Sequence, residues 1–345
     1  MLKIYLLYTY VIFILLFFIQ GCNIGYSFNQ GYKAYLEGDY NAAICAFNKV
    51  IEHNNNDYQA YAFRGISKLK AGDISGAIDD CNESIRINPS YFIGYNHRGL
   101  ALMEMKDYIS AIENFDYAIE INKEYIDAYN NRGLAKFNLG LFISALKDYD
   151  KAINLYPHYA TVFGNRGDAK RKLGLIKESI EDYKQALELN SKEVNALNGL
   201  ALSYSDIGKY EEALLAIVKA INIEPDNPAF LNNRAKIYID MGEYRQAVLY
   251  SSKAIWIDRK RPEPYKHRGM AKYKMGKYDE ALIDLSIAII LNSEYAEAYN
   301  ARGLVKESMG DYIGGILDFT KAINKKAEYT EAYNNRERVI ALANN

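Results

Sequence analysis

Apolar and polar residues alternate along this chain with two superimposed periods. Within short stretches the apolar positions recur every three to four residues, as in Phe142 to Leu155, where Ala145, Tyr149 and Ala152 fall on one helical face. The second period is much longer. Arg64, Arg98, Arg132, Arg166, Arg234, Arg268, Arg302 and Arg336 stand on one 34-residue lattice, with Leu200 at the single intervening node without arginine. A repeat of that length without strand patterning predicts stacked helical hairpins. In the unit Ile126–Tyr159 the spacing predicts helices over 126–139 and 142–155, separated by Gly140. Glycine recurs there at Gly38, Gly72, Gly174, Gly208, Gly242, Gly276 and Gly310, and Lys106 alone departs. Glycine accepts the left-handed backbone that ends a helix, so a tight helix–turn–helix is expected. All six prolines fall at junctions between units, where a missing N–H does least harm.

Small residues recur in the first helix of each unit (Gly31, Gly65, Gly99, Gly133, Gly167, Ala201, Ala235, Gly269, Gly303), and alanine recurs in the second. They let two helices approach, while the aromatic series Tyr61, Tyr95, Tyr129, Phe163, Tyr265, Tyr299 and Tyr333 fills the space beside them and reads as core. Sixteen residues after the arginine node come Asp80, Asp148, Asp182, Asp284 and Asp318, and the units without arginine (Gln30, Leu200) have Ala46 and Ala216 there. An Arg–Asp ladder inside the hairpins is expected, with Arg98 facing Asn114 and Arg234 facing Tyr250 instead.

The pattern carried by Tyr129, Gly133, Phe142, Ala145, Tyr149, Ala152 and Pro157 resembles the tetratricopeptide (TPR) family, in a subtype marked by runs such as Asn131-Arg132-Gly133. The resemblance covers residues 24–345 and implies an all-α fold, an αα-hairpin solenoid (TPR superhelix). Nine repeats are expected at 24–57, 58–91, 92–125, 126–159, 160–193, 194–227, 228–261, 262–295 and 296–329. Residues 330–345 then form a C-terminal capping helix. The resemblance further implies that first helices line a concave groove for partners. The inward positions are Tyr32 and Tyr35, Ile66 and Leu69, Leu100 and Met103, then Leu134 and Phe137, all apolar or aromatic. From Asp168 and Arg171 onward they turn mixed. Contiguous apolar surface marks a contact site, so this half of the groove is expected to take an extended peptide or an amphipathic helix of another protein. Asn96 and Asn130 at one node, and Asn131 and Asn165 at the next, offer amides that could hold a peptide backbone whatever its sequence.

Composition narrows the rest. Lysine plus arginine number 42 against 43 acids, a formal charge of −1, which argues against nucleic acid as a partner because phosphate binding needs surplus cations. Four scattered histidines and three cysteines assemble no metal site by spacing, and no cofactor motif or catalytic constellation stands outside the lattice. Cys45 and Cys81 read as small buried apolar side chains. The first 22 residues differ from everything after them: Lys3 precedes an uncharged run from Ile4 to Ile19, about 24 Å as a helix and short of the ~30 Å membrane core. The segment therefore reads as an export signal. Its ending, Ile19-Gln20-Gly21-Cys22, resembles a bacterial lipobox, in which Cys22 would carry the lipid. An uncleaved anchor and a plain cleaved signal are the other two fates. All three put the array outside the cytoplasm and confine membrane contact to this segment. Taken together the residues describe a non-catalytic, exported interaction scaffold. A self-associating structural envelope protein and a helical-repeat accessory subunit of an enzyme are the alternatives.

Overall fold

The computed structural model describes residues 27–343. Among them are nineteen helices and no strand, arranged as consecutive antiparallel hairpins. The chain divides into two units, 1–158 and 159–345. The N-terminal unit holds four hairpins: α1 (Phe28–Leu36) with α2 (Tyr40–His53), α3 (Tyr58–Lys70) with α4 (Ile74–Ile87), α5 (Phe92–Glu104) with α6 (Tyr108–Ile121), and α7 (Ile126–Asn138) with α8 (Phe142–Leu155). The C-terminal unit begins with α9 (Ala160–Lys172) and α10 (Ile176–Leu189), followed by α11 (Val194–Asp206) and α12 (Tyr210–Ile223). It continues with α13 (Pro228–Asp240), α14 (Tyr244–Ile257), α15 (Pro262–Lys274), α16 (Tyr278–Leu291), α17 (Ala296–Ser308) and α18 (Tyr312–Lys325), and ends with the unpaired α19 (Thr330–Ala343). The all-α hairpin solenoid expected from the sequence is the observed fold.

Each hairpin turn is built by one left-handed residue. Gly140 has φ 77°, its N–H reaches Phe137 O, and the next N–H reaches back to Lys136 O, both at 2.9 Å, closing the last turn of α7. The one non-glycine at this node, Lys106, is held at φ 62°, where its Cβ crowds the backbone. Aspartates then start several second helices; Asp107 accepts the Ser110 N–H at 3.1 Å, satisfying one orphan donor of the first turn.

Within a hairpin, the small node in the first helix meets the ring sixteen residues later. A Cβ on Gly133 would lie 2.6 Å from Tyr149 and one on Gly99 2.5 Å from Phe115, so these glycines set the helix separation. Beside that contact runs the ladder. Arg132 donates from Nε and Nη2 to the two carboxylate oxygens of Asp148, at 3.1 and 2.5 Å. The same fork joins Arg64 to Asp80, Arg166 to Asp182, Arg268 to Asp284 and Arg302 to Asp318. Each of these carboxylates also takes a lysine placed four residues after the arginine: Lys68, Lys136, Lys170, Lys272 and Lys306, at 2.7–2.9 Å. The guanidinium face meanwhile lies over the aromatic ring three residues earlier, 5.4 Å from the Tyr129 centroid for Arg132. The remaining nitrogen Nη1 reaches the second helix of the preceding hairpin, as from Arg132 to Asp116 and from Arg302 to Ser286. One side chain thus ties its own hairpin and staples it to the one before.

Cys81 is buried in this core, where desolvation pushes its thiol up to about 12. Cys45 departs from the sequence expectation and is exposed, because α2 turns that position away from α1 and α3. Cys22 lies outside the described residues. No helix among the described residues is long and apolar enough to cross a membrane.

Two outcomes follow. Lys106→Gly removes the left-handed strain and should raise stability by about 1 kcal/mol, read as a higher urea midpoint with an unchanged slope; an unchanged midpoint would contradict the strain. The second concerns acid. Burial alone would raise Asp318, but hydrogen bonds from Arg302 and Lys306 outweigh it and hold its carboxyl below the usual value. Its contribution is therefore complete above the unfolded carboxyl pKa of about 3.9 and is lost as pH falls through the lower folded value. Asp318→Asn should cost about 3 kcal/mol near neutrality and flatten the loss of stability below about pH 4, measured as denaturant midpoint against pH. A variant with the wild-type acid slope would rule the clamp out as its source.

Candidate functional site

The curvature of each unit follows from which helices touch. First helices of consecutive hairpins contact one another within a unit (α1 with α3, α3 with α5, α5 with α7, and likewise α9 through α19), whereas no two second helices among the described residues do. The first helices therefore crowd on the inner side, and their free faces form the inner surface of each unit.

In the N-terminal unit that surface is apolar. Tyr32 is 38% exposed, and Tyr35, Leu69, Leu100, Met103, Leu134 and Phe137 are half-buried, each rooted in the packing but showing part of its side chain. Leu100 and Met103 lean on the Ala111–Phe115–Ala135 cluster, and Phe137 meets Phe142 edge-on at 5.3 Å. Burial raises the Tyr35 hydroxyl above its ordinary pKa, so it stays a neutral donor. The first end of the surface is an aromatic cluster that the sequence reading missed: Phe63 stands edge-on to Tyr32 at 5.2 Å, to Phe28 at 5.3 Å and to His97 at 5.4 Å. Phe63 and His97 share the node of Asn131, and the regularity of the asparagines hid them.

Three expected residues are placed otherwise. Ile66 is only 2% exposed, packed in the core of its hairpin rather than presented beside Leu69. Asn96 and Asn130 are buried as well. Asn131 donates through Nδ2 to Asn96 Oδ1 at 3.0 Å, one hairpin further along. The same bridge recurs as Asn233 to Asn198 at 2.8 Å and Asn335 to Asn300 at 2.9 Å. These amides bind hairpin to hairpin, so the stripe is spent on stacking. Asn165 is half-buried on α9 in the other unit.

In the C-terminal unit the inner surface is mixed: Leu202, Ile239, Met270 and Leu304 are half-buried, and the polar side chains between them pair with one another. Tyr183 donates to Asp168 at 2.6 Å, Arg171 reaches Asp206 at 2.9 Å, and Lys236 reaches Asp240 at 2.8 Å, where Ser205 also donates. Burial raises Asp168 despite the Tyr183 hydrogen bond. One buried histidine in each unit serves packing. His97 Nδ1 pairs with Ala62 O at 3.0 Å and His267 Nδ1 with Asn232 Oδ1 at 2.7 Å. Burial lowers His97 to about 4 and His267 well below its usual value, leaving both neutral near pH 7. No group of metal-ligating side chains occurs among the described residues.

Stacked hairpins with a curved inner face of exposed side chains define a helical-repeat interaction scaffold. Models of the tetratricopeptide repeat match residues 94–125, 126–159, 167–208, 203–242 and 228–261, so the repeats over these residues are tetratricopeptide repeats. A tetratricopeptide repeat protein from Parabacteroides merdae superposes with a TM-score of 0.60 at 20% identity, over 72% of this chain and 98% of that one. MamA is 27% identical over 47% of this chain and 95% of its own, with a TM-score of 0.41. YrrB, described as a TPR protein with an unusual peptide-binding site, is 20% identical over 55% of this chain and 97% of its own, with a TM-score of 0.39. No curated protein matches the chain.

Proposed function

We propose that this protein is a non-catalytic scaffold whose N-terminal unit docks an amphipathic helix of another protein along Tyr32, Tyr35, Leu69, Leu100, Met103, Leu134 and Phe137. The observation that carries the reading is the contrast between the two inner surfaces. One offers half-exposed apolar side chains on four successive first helices; the other closes its charges on one another. Because Asn96 accepts from Asn131, the amides expected to hold an extended peptide backbone are occupied, and side-chain packing is left as the source of affinity. That favours a helix, which satisfies its own backbone and presents one apolar face. The Asn-Arg-Gly runs mark the repeats as a subtype in which the asparagine and the arginine both serve stacking.

Export belongs to the same proposal. Residues 1–26 lie outside the described part, and the support is in their sequence: an uncharged run of signal length ending in Gly21-Cys22. Lipid on Cys22 would hold the array at an envelope membrane.

Peptides selected from a displayed library against residues 24–345 should carry apolar residues at three-to-four spacing. They should bind the Leu69→Glu/Met103→Glu/Phe137→Glu variant at least about tenfold more weakly while its far-UV circular dichroism still reports a folded helical chain, since each lost apolar contact is worth about 1 kcal/mol or more. Equal affinity for the variant would remove the surface from consideration. For anchoring, metabolic labelling with a fatty-acid analogue should mark the wild-type chain and vanish in Cys22→Ala; label retained in that variant would refute the lipobox.

A further inference from the structure

Two interior nodes of the arginine lattice lack the carboxylate clamp: Arg98 keeps amide acceptors in Asn114 and Asn82, whereas Arg234 has neither carboxylate nor amide. At Arg234 the residue sixteen later is Tyr250 instead of aspartate, the residue four later is Tyr238 instead of lysine, and the residue sixteen earlier is Val218, the counterpart of Asp116. Tyr250 stacks on the guanidinium, 4.1 Å from its centre, and Tyr238 lies parallel to Tyr250 at 5.6 Å. Among the described residues Arg234 makes one hydrogen bond, from Nη2 to the Tyr238 hydroxyl at 3.3 Å. Its Nε is buried without an acceptor. In the sister hairpins these nitrogens end on carboxylate, amide or hydroxyl oxygens. A guanidinium does not lose its charge at any accessible pH, and a buried donor without an acceptor forfeits its hydration. Arg234 is therefore a built cation lacking its anion.

A cavity of about 400 Å³ adjoins it, lined by Ile221 of α12, Leu231 and Arg234 of α13, and Tyr250, Lys253, Trp256 and Ile257 of α14, with Pro225 and Asp226 at the loop. The volume suits a small molecule. Its lining combines two cations, Arg234 and Lys253, both over the Tyr250 ring at 4.1 and 5.1 Å, with the apolar Ile221, Leu231 and Ile257 and with Trp256, which is 77% exposed. The five intact clamps show that this arginine's donor edge takes a carboxylate at 2.5–3.1 Å. The acid on Asp226 disfavours a second negative charge on whatever enters.

We propose that this cavity binds a small monocarboxylate on an aromatic or aliphatic body, its carboxylate held by Arg234 and Lys253 and its body laid against Trp256, Tyr250 and Leu231. The site is independent of the inner surface of the N-terminal unit. The ligand supplies from outside the anion that aspartate supplies in five sister hairpins.

Trp256 is the chain's one tryptophan, so its emission reports on this cavity alone. Titrating phenylacetate into the full chain should change that emission saturably, and phenylacetamide should bind at least about tenfold more weakly, the difference between a charged and a neutral acceptor. Val218→Asp places an internal carboxylate where Asp116 serves Arg132, and should abolish the response while the melting temperature holds or rises. Should that variant fail to fold, Lys253→Glu, at an exposed position, should weaken phenylacetate at least about tenfold. A peptide ending in a free phenylalanine carboxylate that outcompetes phenylacetate would name a chain terminus as the source of the carboxylate. No saturable response to either acid, an amide as good as the acid, or undiminished binding by the substituted chain would overturn the proposal.

Discussion

The structure depends on a single charged contact repeated at fixed phase: a guanidinium whose edge is taken by a carboxylate, whose face is covered by an aromatic ring and whose last nitrogen reaches the preceding hairpin. An isolated αα-hairpin has too little core to stand alone, and its stability comes from its neighbours. Apolar packing supplies most of that energy but little register, since Ala, Gly and ring contacts tolerate sliding. Arg132, bound to Asp148 in its own hairpin and to Asp116 in the previous one, fixes both the pairing within a repeat and the offset between repeats. Adding Lys136 to the same carboxylate gives each clamp two cations and one anion. The surplus charge is balanced by the acceptor across the repeat boundary or is left at the partly open edge.

How much of this could be read beforehand depended on whether a contact stays within one hairpin. Arg64 with Asp80, and the loss of both in the Gln30 and Leu200 units, are legible because partners sixteen residues apart lie on facing helices of one αα unit. The lysines are not legible, for a physical reason. A lysine four residues after an arginine on a helix looks like repulsion until the shared carboxylate between them is seen. Contacts spanning two hairpins are not legible. Asn96 and Asn131 are thirty-five residues apart, and nothing local distinguishes an amide that binds the next repeat from one that faces a ligand. Ile66 and Leu69 pose the same difficulty: they stand three residues apart on α3, yet the first is buried and the second keeps part of its side chain uncovered.

That distinction shapes the reading of function. Once the asparagine bridges are assigned to stacking, the inner surfaces differ only in the side chains remaining, and there the two units diverge. The N-terminal unit keeps Leu100, Met103, Leu134 and Phe137 half-covered, an arrangement that binding can improve because apolar area is still in water. The C-terminal unit has Arg171, Asp206, Lys236 and Asp240 already satisfied, and a ligand there would have to break those pairs before making its own. An amphipathic partner meets a lower cost on the first surface than on the second.

A lattice also makes its exceptions informative. In a fold without repeats, a buried arginine with a free nitrogen could be a local accident with no reference against which to judge it. Here five sister hairpins offer the position a carboxylate and the Arg98 hairpin offers it amide oxygens, and Arg234 departs at three partners at once: Val218 for an oxygen acceptor, Tyr238 for lysine and Tyr250 for aspartate. Removing the carboxylate together with its lysine leaves the guanidinium with Lys253 on the same Tyr250 ring, and the two tyrosines shield the guanidinium without neutralising it. Stacking on a ring recovers about 1 kcal/mol, well below what a partly buried cation loses when its anion is taken away. The remaining imbalance is what an outside anion would relieve, and the cavity beside Arg234 has both the room and the apolar walls to select which one.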